Sequence, residues 1–129
     1  MTGSVPALDA TTPDYTGNWG ESLGVNSGDP DTTILGQSFT TISFTLTGKP
    51  STGLRAVVSV GTTDYCSPIT TGALTLTSFS TTCYDTAKPG TALTAADVKN
   101  ITKVSVQVTS TTTAITVTDL CLTGITFGP

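Results

Sequence analysis

"GLRAVVSV", residues 53–60, sets Leu54, Ala56, Val58 and Val60 against Arg55, Val57 and Ser59. Successive side chains of an extended chain point to opposite faces, so the stretch reads as a strand with one apolar face. The same period of two returns in "KVSVQVTS" (103–110), where Val104, Val106 and Val108 alternate with Lys103, Ser105 and Gln107, and in Ile42, Phe44 and Leu46. Residues 73–77 repeat it, and Ala114 to Val117 and Leu120 to Phe127 supply the last strands, with Gly124 as a bulge or bend. A helix is expected only at Thr94 to Asn100, where Thr94 and Asp97 stand in capping-box relation ahead of Val98.

Turn chemistry separates these runs at residues 26–31, 48–53 and 87–90. Threonine is roughly a quarter of the chain, well above ordinary usage, and its β-branched side chain solvates a sheet face without adding charge. About eight strands without a βαβ rhythm predict an all-β fold, a two-sheet antiparallel β-sandwich of jelly-roll type with at most one short helical turn. The 129 residues fit one domain, expected over 14–129, with residues 1–13 read as cloning scar and linker.

Charge narrows the partners. Five basic against nine acidic residues give a net charge of −4, which repels phosphate backbones and anionic membranes, so neither nucleic acid nor membrane is expected. No run approaches the roughly 20 apolar residues of a membrane-spanning helix. Low charge, a linker-like start and abundant threonine suggest a secreted, extracellular protein, a setting in which disulfides persist.

Cys66, Cys83 and Cys121 allow three different bridges. Cys66 to Cys83 is preferred because it closes a short segment that already contains a strand and two turns. The triplets "DYC" (64–66) and "CYD" (83–85) mirror each other across that bridge. If the two cysteines meet on one face, Tyr65 and Tyr84 emerge on the other, and Asp64 and Asp85 return to the cysteine side. Cys121, between Leu120 and Leu122, is expected as a buried thiol.

Catalysis loses most of its candidates. The chain has no histidine, which removes the commonest general base and every Ser-His or Cys-His nucleophile pair, so no enzyme is expected. Most of the nine acids sit in turns, a poor setting for a paired-carboxylate mechanism. Asp119 lies inside an apolar strand pattern, where a buried carboxylate needs a partner such as Arg55 or a cation. Asp29 and Asp31 sit in a turn able to supply part of a structural calcium site. Sugar binding needs aromatic planes beside groups able to form paired hydrogen bonds. Trp19, Tyr65 and Tyr84 are the candidate planes, and Arg55, Ser59, Lys103 and Gln107 point away from the apolar face of their strands as a candidate groove floor.

The segments "NWGESLGVN", "TTISFTLTG", "GLRAVVSV", "DYC", "CYD", "LTAADVKNIT", "KVSVQVTS" and "VTDLCLTGITF" taken in order resemble the galactose-binding-like jelly-roll carbohydrate-binding modules of secreted bacterial polysaccharide-degrading enzymes. The resemblance covers roughly residues 15–127. It implies a module that binds a polysaccharide or oligosaccharide on a concave sheet face or at loop tips, often with a structural calcium far from the sugar. Arg55 and Gln107 would lie on that face, with Tyr65 and Tyr84 near its rim. The expected function is non-catalytic binding of a plant cell-wall type β-glycan (β-glucan, cellulose or xylan) by a monomeric module linked to a glycoside hydrolase. The alternative is a structural or adhesive β-sandwich without a sugar ligand.

Overall fold

The computed structural model describes residues 1–12, 20–26, 33, 38–83 and 89–129. Its strands are β1 (Gly3–Val5), β2 (Gly20–Asn26), β3 (Thr41–Lys49), β4 (Leu54–Val60), β5 (Thr63–Pro68), β6 (Leu74–Thr75), β7 (Ile101–Thr109) and β8 (Ile115–Gly128), with one helical turn, α1 (Ala95–Val98), between β6 and β7. They form two antiparallel four-stranded sheets, ordered β1-β8-β3-β6 and β2-β7-β4-β5. Packed face to face, these make the eight-stranded jelly roll expected of the alternating pattern.

The period of two does the sorting. Val104, Val106 and Val108 of β7 and Ala56 and Val58 of β4 are fully buried between the sheets, opposite Ile42 of β3 and Val117 and Leu120 of β8. Among the described residues Phe79 is the largest side chain with no exposed surface, and Phe39 packs edge-on against Phe127 at 4.6 Å between ring centroids. Truncating such a side chain costs about 3–5 kcal/mol through lost transfer energy and the cavity left behind.

Three local expectations are corrected. The domain does not begin at residue 14: β1 pairs with β8 through Gly3 and Val117, Ser4 and Thr116, and Val5 and Ile115, and Val5 is 1% exposed. Residues 73–77 do not form one strand. β6 stops at Thr75 and Leu76–Ser78 turn into a 3-10 helix, in which Ser78 Oγ donates to the Thr75 carbonyl at 2.7 Å while Leu74 and Leu76 both stay buried. Asp119 is exposed rather than buried. It takes φ 50°, a left-handed conformation that Asp tolerates, and the Thr2 hydroxyl donates to its carboxylate at 3.2 Å. The register of β3 against β8 shifts opposite this residue, between Thr47 and Lys49. Gly48 faces it at φ 88°, where a Cβ would lie 2.2 Å from the Asp119 carbonyl oxygen, so only glycine fits.

The helical turn forms where its cap places it. Asp97 N donates to Thr94 Oγ1 at 3.3 Å, while Thr94 N and Thr94 Oγ1 donate to Asp97 Oδ2 at 2.9 and 2.6 Å. The bonds from the Thr94 hydroxyl, and then from its backbone, hold the Asp97 carboxyl below its ordinary value of 3.8. A lowered folded-state value means stability that is present above the unfolded value and is lost as the pH falls through the folded one. Thr94→Ala is expected to cost about 1 kcal/mol at neutral pH. In urea titrations, the gap between variant and parent should close as the pH is taken down through the carboxylate range.

Candidate functional site

Among the described residues, polar side chains capable of recognition collect on the outward face of the β2-β7-β4-β5 sheet. Strand register sets them in rows that run across all four strands. One row is Ser22, Gln107, Arg55 and Pro68; the next is Gly24, Ser105, Val57 and Cys66; the third is Asn26, Lys103, Ser59 and Asp64. Arg55, Ser59, Lys103 and Gln107 thus share one face, as their alternation with the valines requires.

The first two rows are covered at Gln107, Ser105, Val57 and Cys66, while Ser22, Gly24 and Pro68 are exposed. Cys66 and Cys83 are bridged, with Cα atoms 5.5 Å apart, and both pack on Val57. This explains why Val57, an outward residue, is only 5% exposed. Beside the bridge the Arg55 guanidinium forks. Nε and Nη2 donate to Gln107 Oε1 at 3.1 and 2.6 Å, and Nη1 donates to the Cys83 carbonyl. Gln107 is 1% exposed, so its amide is a buried acceptor held by a charged donor. Arg55 and Gln107 therefore fasten the Cys83 segment against the sheet.

The third row is exposed at three of its four positions. Asn26, Lys103 and Asp64 face solvent, while Ser59 is buried and its hydroxyl donates to Asp64 Oδ1 at 2.6 Å. At ordinary strand spacing the row is about 14 Å wide. It offers an ammonium, an amide and a carboxylate, and its one positive and one negative charge cancel. Such a set exchanges hydrogen bonds with a neutral, hydroxyl-rich ligand as both donor and acceptor.

The remaining candidates fall elsewhere. Tyr65 does emerge on the face opposite Cys66, but that face is the sandwich interior: its strand partner is Val58, and Tyr65 is 8% exposed within the core cluster. It is not a rim platform. Trp19, Tyr84, Asp29 and Asp31 lie outside the described residues. Cys121 is exposed rather than buried, because alternation with Leu120 and Leu122 turns it outward. Asp119, the third acid proposed for a cation, engages Thr2 and not Arg55. Among the described residues, no three His, Cys, Asp or Glu side chains gather as a metal cluster.

Asn26 and Asp64 complete the open row. Asp64 could have been found from the mirrored triplets, which return it to the cysteine face. Asn26 carries no signal of its own, because its place depends on the pairing of β2 with β7.

Comparison with protein-family models, with curated proteins and with solved structures returns no match.

Replacing Gln107 by Leu removes the acceptor of two Arg55 bonds while keeping the packing volume close. A charged donor stripped of a buried partner costs about 2 kcal/mol. The midpoint of denaturant unfolding is expected to fall accordingly, with the slope unchanged; an unchanged midpoint would mean that the fork does not hold the face together.

Proposed function

We propose that this chain is a non-catalytic carbohydrate-binding module for a plant cell-wall type β-glycan, with the outward face of the β2-β7-β4-β5 sheet as its binding surface. The observation that carries the reading is the exposed set Asn26, Lys103 and Asp64, aligned across the sheet with the buried Ser59 hydroxyl holding the carboxylate, neutral overall and able both to donate and to accept. Glycan hydroxyls do both. The covered patch beside it, over Val57 and Gln107, is kept in place by the Cys66–Cys83 bridge and the Arg55 fork. A net charge of −4 suits neutral glycans better than polyanionic ones. In this reading the protein is secreted and is joined to a glycoside hydrolase, whose local substrate concentration it raises. Trp19 and Tyr84 are the proposed stacking rings, and a structural calcium is part of the proposal.

A structural or adhesive role is favoured by one observation on the other sheet. Thr45 and Thr47 of β3 and Thr116, Thr118, Thr123 and Thr126 of β8 are all exposed there, an uncharged hydroxyl face suited to spacing or stacking domains.

Affinity gel electrophoresis and pull-down against soluble and insoluble β-glucans, cellulose and xylan, each with and without EDTA, separate the two. A binding module is retarded by one glycan class. Lys103→Ala combined with Asp64→Ala should weaken that retardation about tenfold at an unchanged unfolding midpoint, and Trp19→Ala or Tyr84→Ala should weaken it too. Loss of retardation in EDTA would assign a cation to the site. Retardation by none of the glycans would leave the structural reading, and release of reducing sugar would make the chain an enzyme.

A further inference from the structure

The Cys66–Cys83 bridge stands apart from the two apolar clusters that fill the sandwich. Among their described residues neither includes a cysteine, and the bridge forms a third, small cluster with Val57 on the outward face of β4. β5 has other ties of its own, the ladder to β4 and Tyr65 in the core. The segment on the other side of the bridge is likewise anchored before it reaches Cys83. Phe79 is fully buried in the core, Cys66 and Ser80 exchange both backbone hydrogen bonds at 2.8 and 3.1 Å, and Thr81 N donates to the Thr91 carbonyl at 3.0 Å.

Beyond Thr81 the ties change in kind. Among the described contacts, Cys83 is held to the sheet by its sulfur and by its carbonyl, which accepts from Arg55 Nη1. Arg55 therefore grips a carbonyl whose place is set covalently, and its other edge holds the buried Gln107 amide. The bridge also reaches the third row, because Cys83 Sγ lies 3.7 Å from the Asp64 carbonyl oxygen. Cys121 is exposed on the outer face of the other sheet, a sandwich's thickness away from both sulfurs.

We propose that the Cys66–Cys83 bridge is a redox latch: the sandwich folds with both thiols reduced, and oxidation then closes residues 81–83 over Val57 and Gln107 and fixes Arg55. With Ser80 already paired beside Cys66, only those three residues have to settle for the sulfurs to meet. Closure passes two electrons to a disulfide-bearing oxidant. One cysteine thiolate attacks a sulfur of that disulfide, the other displaces the oxidant from the mixed disulfide, and the oxidant leaves as two thiols that take up the two protons released. The face is thus finished only in an oxidising compartment. In the reduced chain Cys83 is released, its carbonyl is no longer a fixed acceptor for Arg55, and the patch beside Asn26, Lys103 and Asp64 opens, a local packing change with a readable effect on the surface. As a control on glycan binding the latch rests on the function proposed above; as a change of surface it does not.

Arg55 is the single arginine of the chain, so modification by phenylglyoxal reports on it alone. The test uses the full chain carrying Cys121→Ser, with Cys66 and Cys83 reduced and again after oxidation by glutathione disulfide, each state checked by thiol titration. Both forms should unfold in one cooperative transition, the reduced form at the lower denaturant midpoint. Phenylglyoxal should modify Arg55 about tenfold faster in the reduced form, and Cys66→Ala combined with Cys83→Ala should match that rate even under oxidant. Retardation by the glycan that the oxidised chain binds should weaken about tenfold on reduction and return on reoxidation. A reduced chain without a cooperative transition would overturn the proposal and make the bridge a condition of folding. Equal modification of Arg55 in two folded forms would overturn it as well, because packing alone would then close the face. Unchanged retardation beside faster modification would overturn the control of binding. An oxidised chain retarded by no glycan counts against the proposed function, and the Arg55 rates then decide the latch by themselves.

Discussion

The constraint on which the rest depends is the bridge from Cys66 to Cys83. A loop of 17 residues, closed covalently, carries a stabilisation of order 3 kcal/mol in the chain-entropy view. Its placement matters as much as its energy. The bridge sits outside the sandwich, over Val57, and so gives one sheet a second, smaller apolar cluster on the face that would otherwise meet water. Once Cys83 is there, its carbonyl needs a donor and Arg55 supplies one. The guanidinium then needs an acceptor for its other edge, and Gln107 supplies that. Each group answers the unsatisfied polarity left by the one before it, and the chain of needs ends at a buried amide in the central strand β7.

That construction divides one sheet face into unlike halves. At the bridge, polar groups spend their hydrogen bonds on one another and the surface is closed. Two residues further along each strand, Ser59 and Asp64 make a single bond, while Lys103 and Asn26 stand in water. Binding surfaces work this way in general, because rigid, internally satisfied groups hold a neighbouring set at fixed spacing and so lower the cost of ordering it around a ligand.

Much of this was legible in the sequence, and the misreadings share one cause. Alternation in 53–60 and 103–110 gave the strands, their apolar faces, the polar face with Arg55 and Gln107, and from the short spacing the bridge itself. It could not say which side of a strand is the interior when both sides are covered. Tyr65 was placed opposite Cys66, as it is, yet that side is the core. Cys121 was judged by its apolar neighbours when strict alternation turns it outward. Asp119 carried a better signal. Val117 and Leu120 are both buried and lie three apart, which an unbroken strand cannot arrange, so an extra residue between them was required. The same reasoning applies to Leu122 and Ile125, where the second register shift falls between Thr45 and Leu46 of β3. β1 was missed because three residues are too few to show a period.

The bulges that confused the reading also decide how β8 behaves. A strand of 14 residues would twist steadily if unbroken, and each extra residue lets it bend and re-aim its side chains. Two such adjustments keep Val117, Leu120, Leu122, Ile125 and Phe127 all facing the other sheet along the length of β8. β2, the edge strand facing β8 across the sandwich, contributes Leu23 and Val25 but leaves a groove open. At the opposite side of the sandwich the edges are finished by other means: β5 carries Asp64 and Pro68, and β6 is two residues long, so neither offers a long uncharged ladder for another strand.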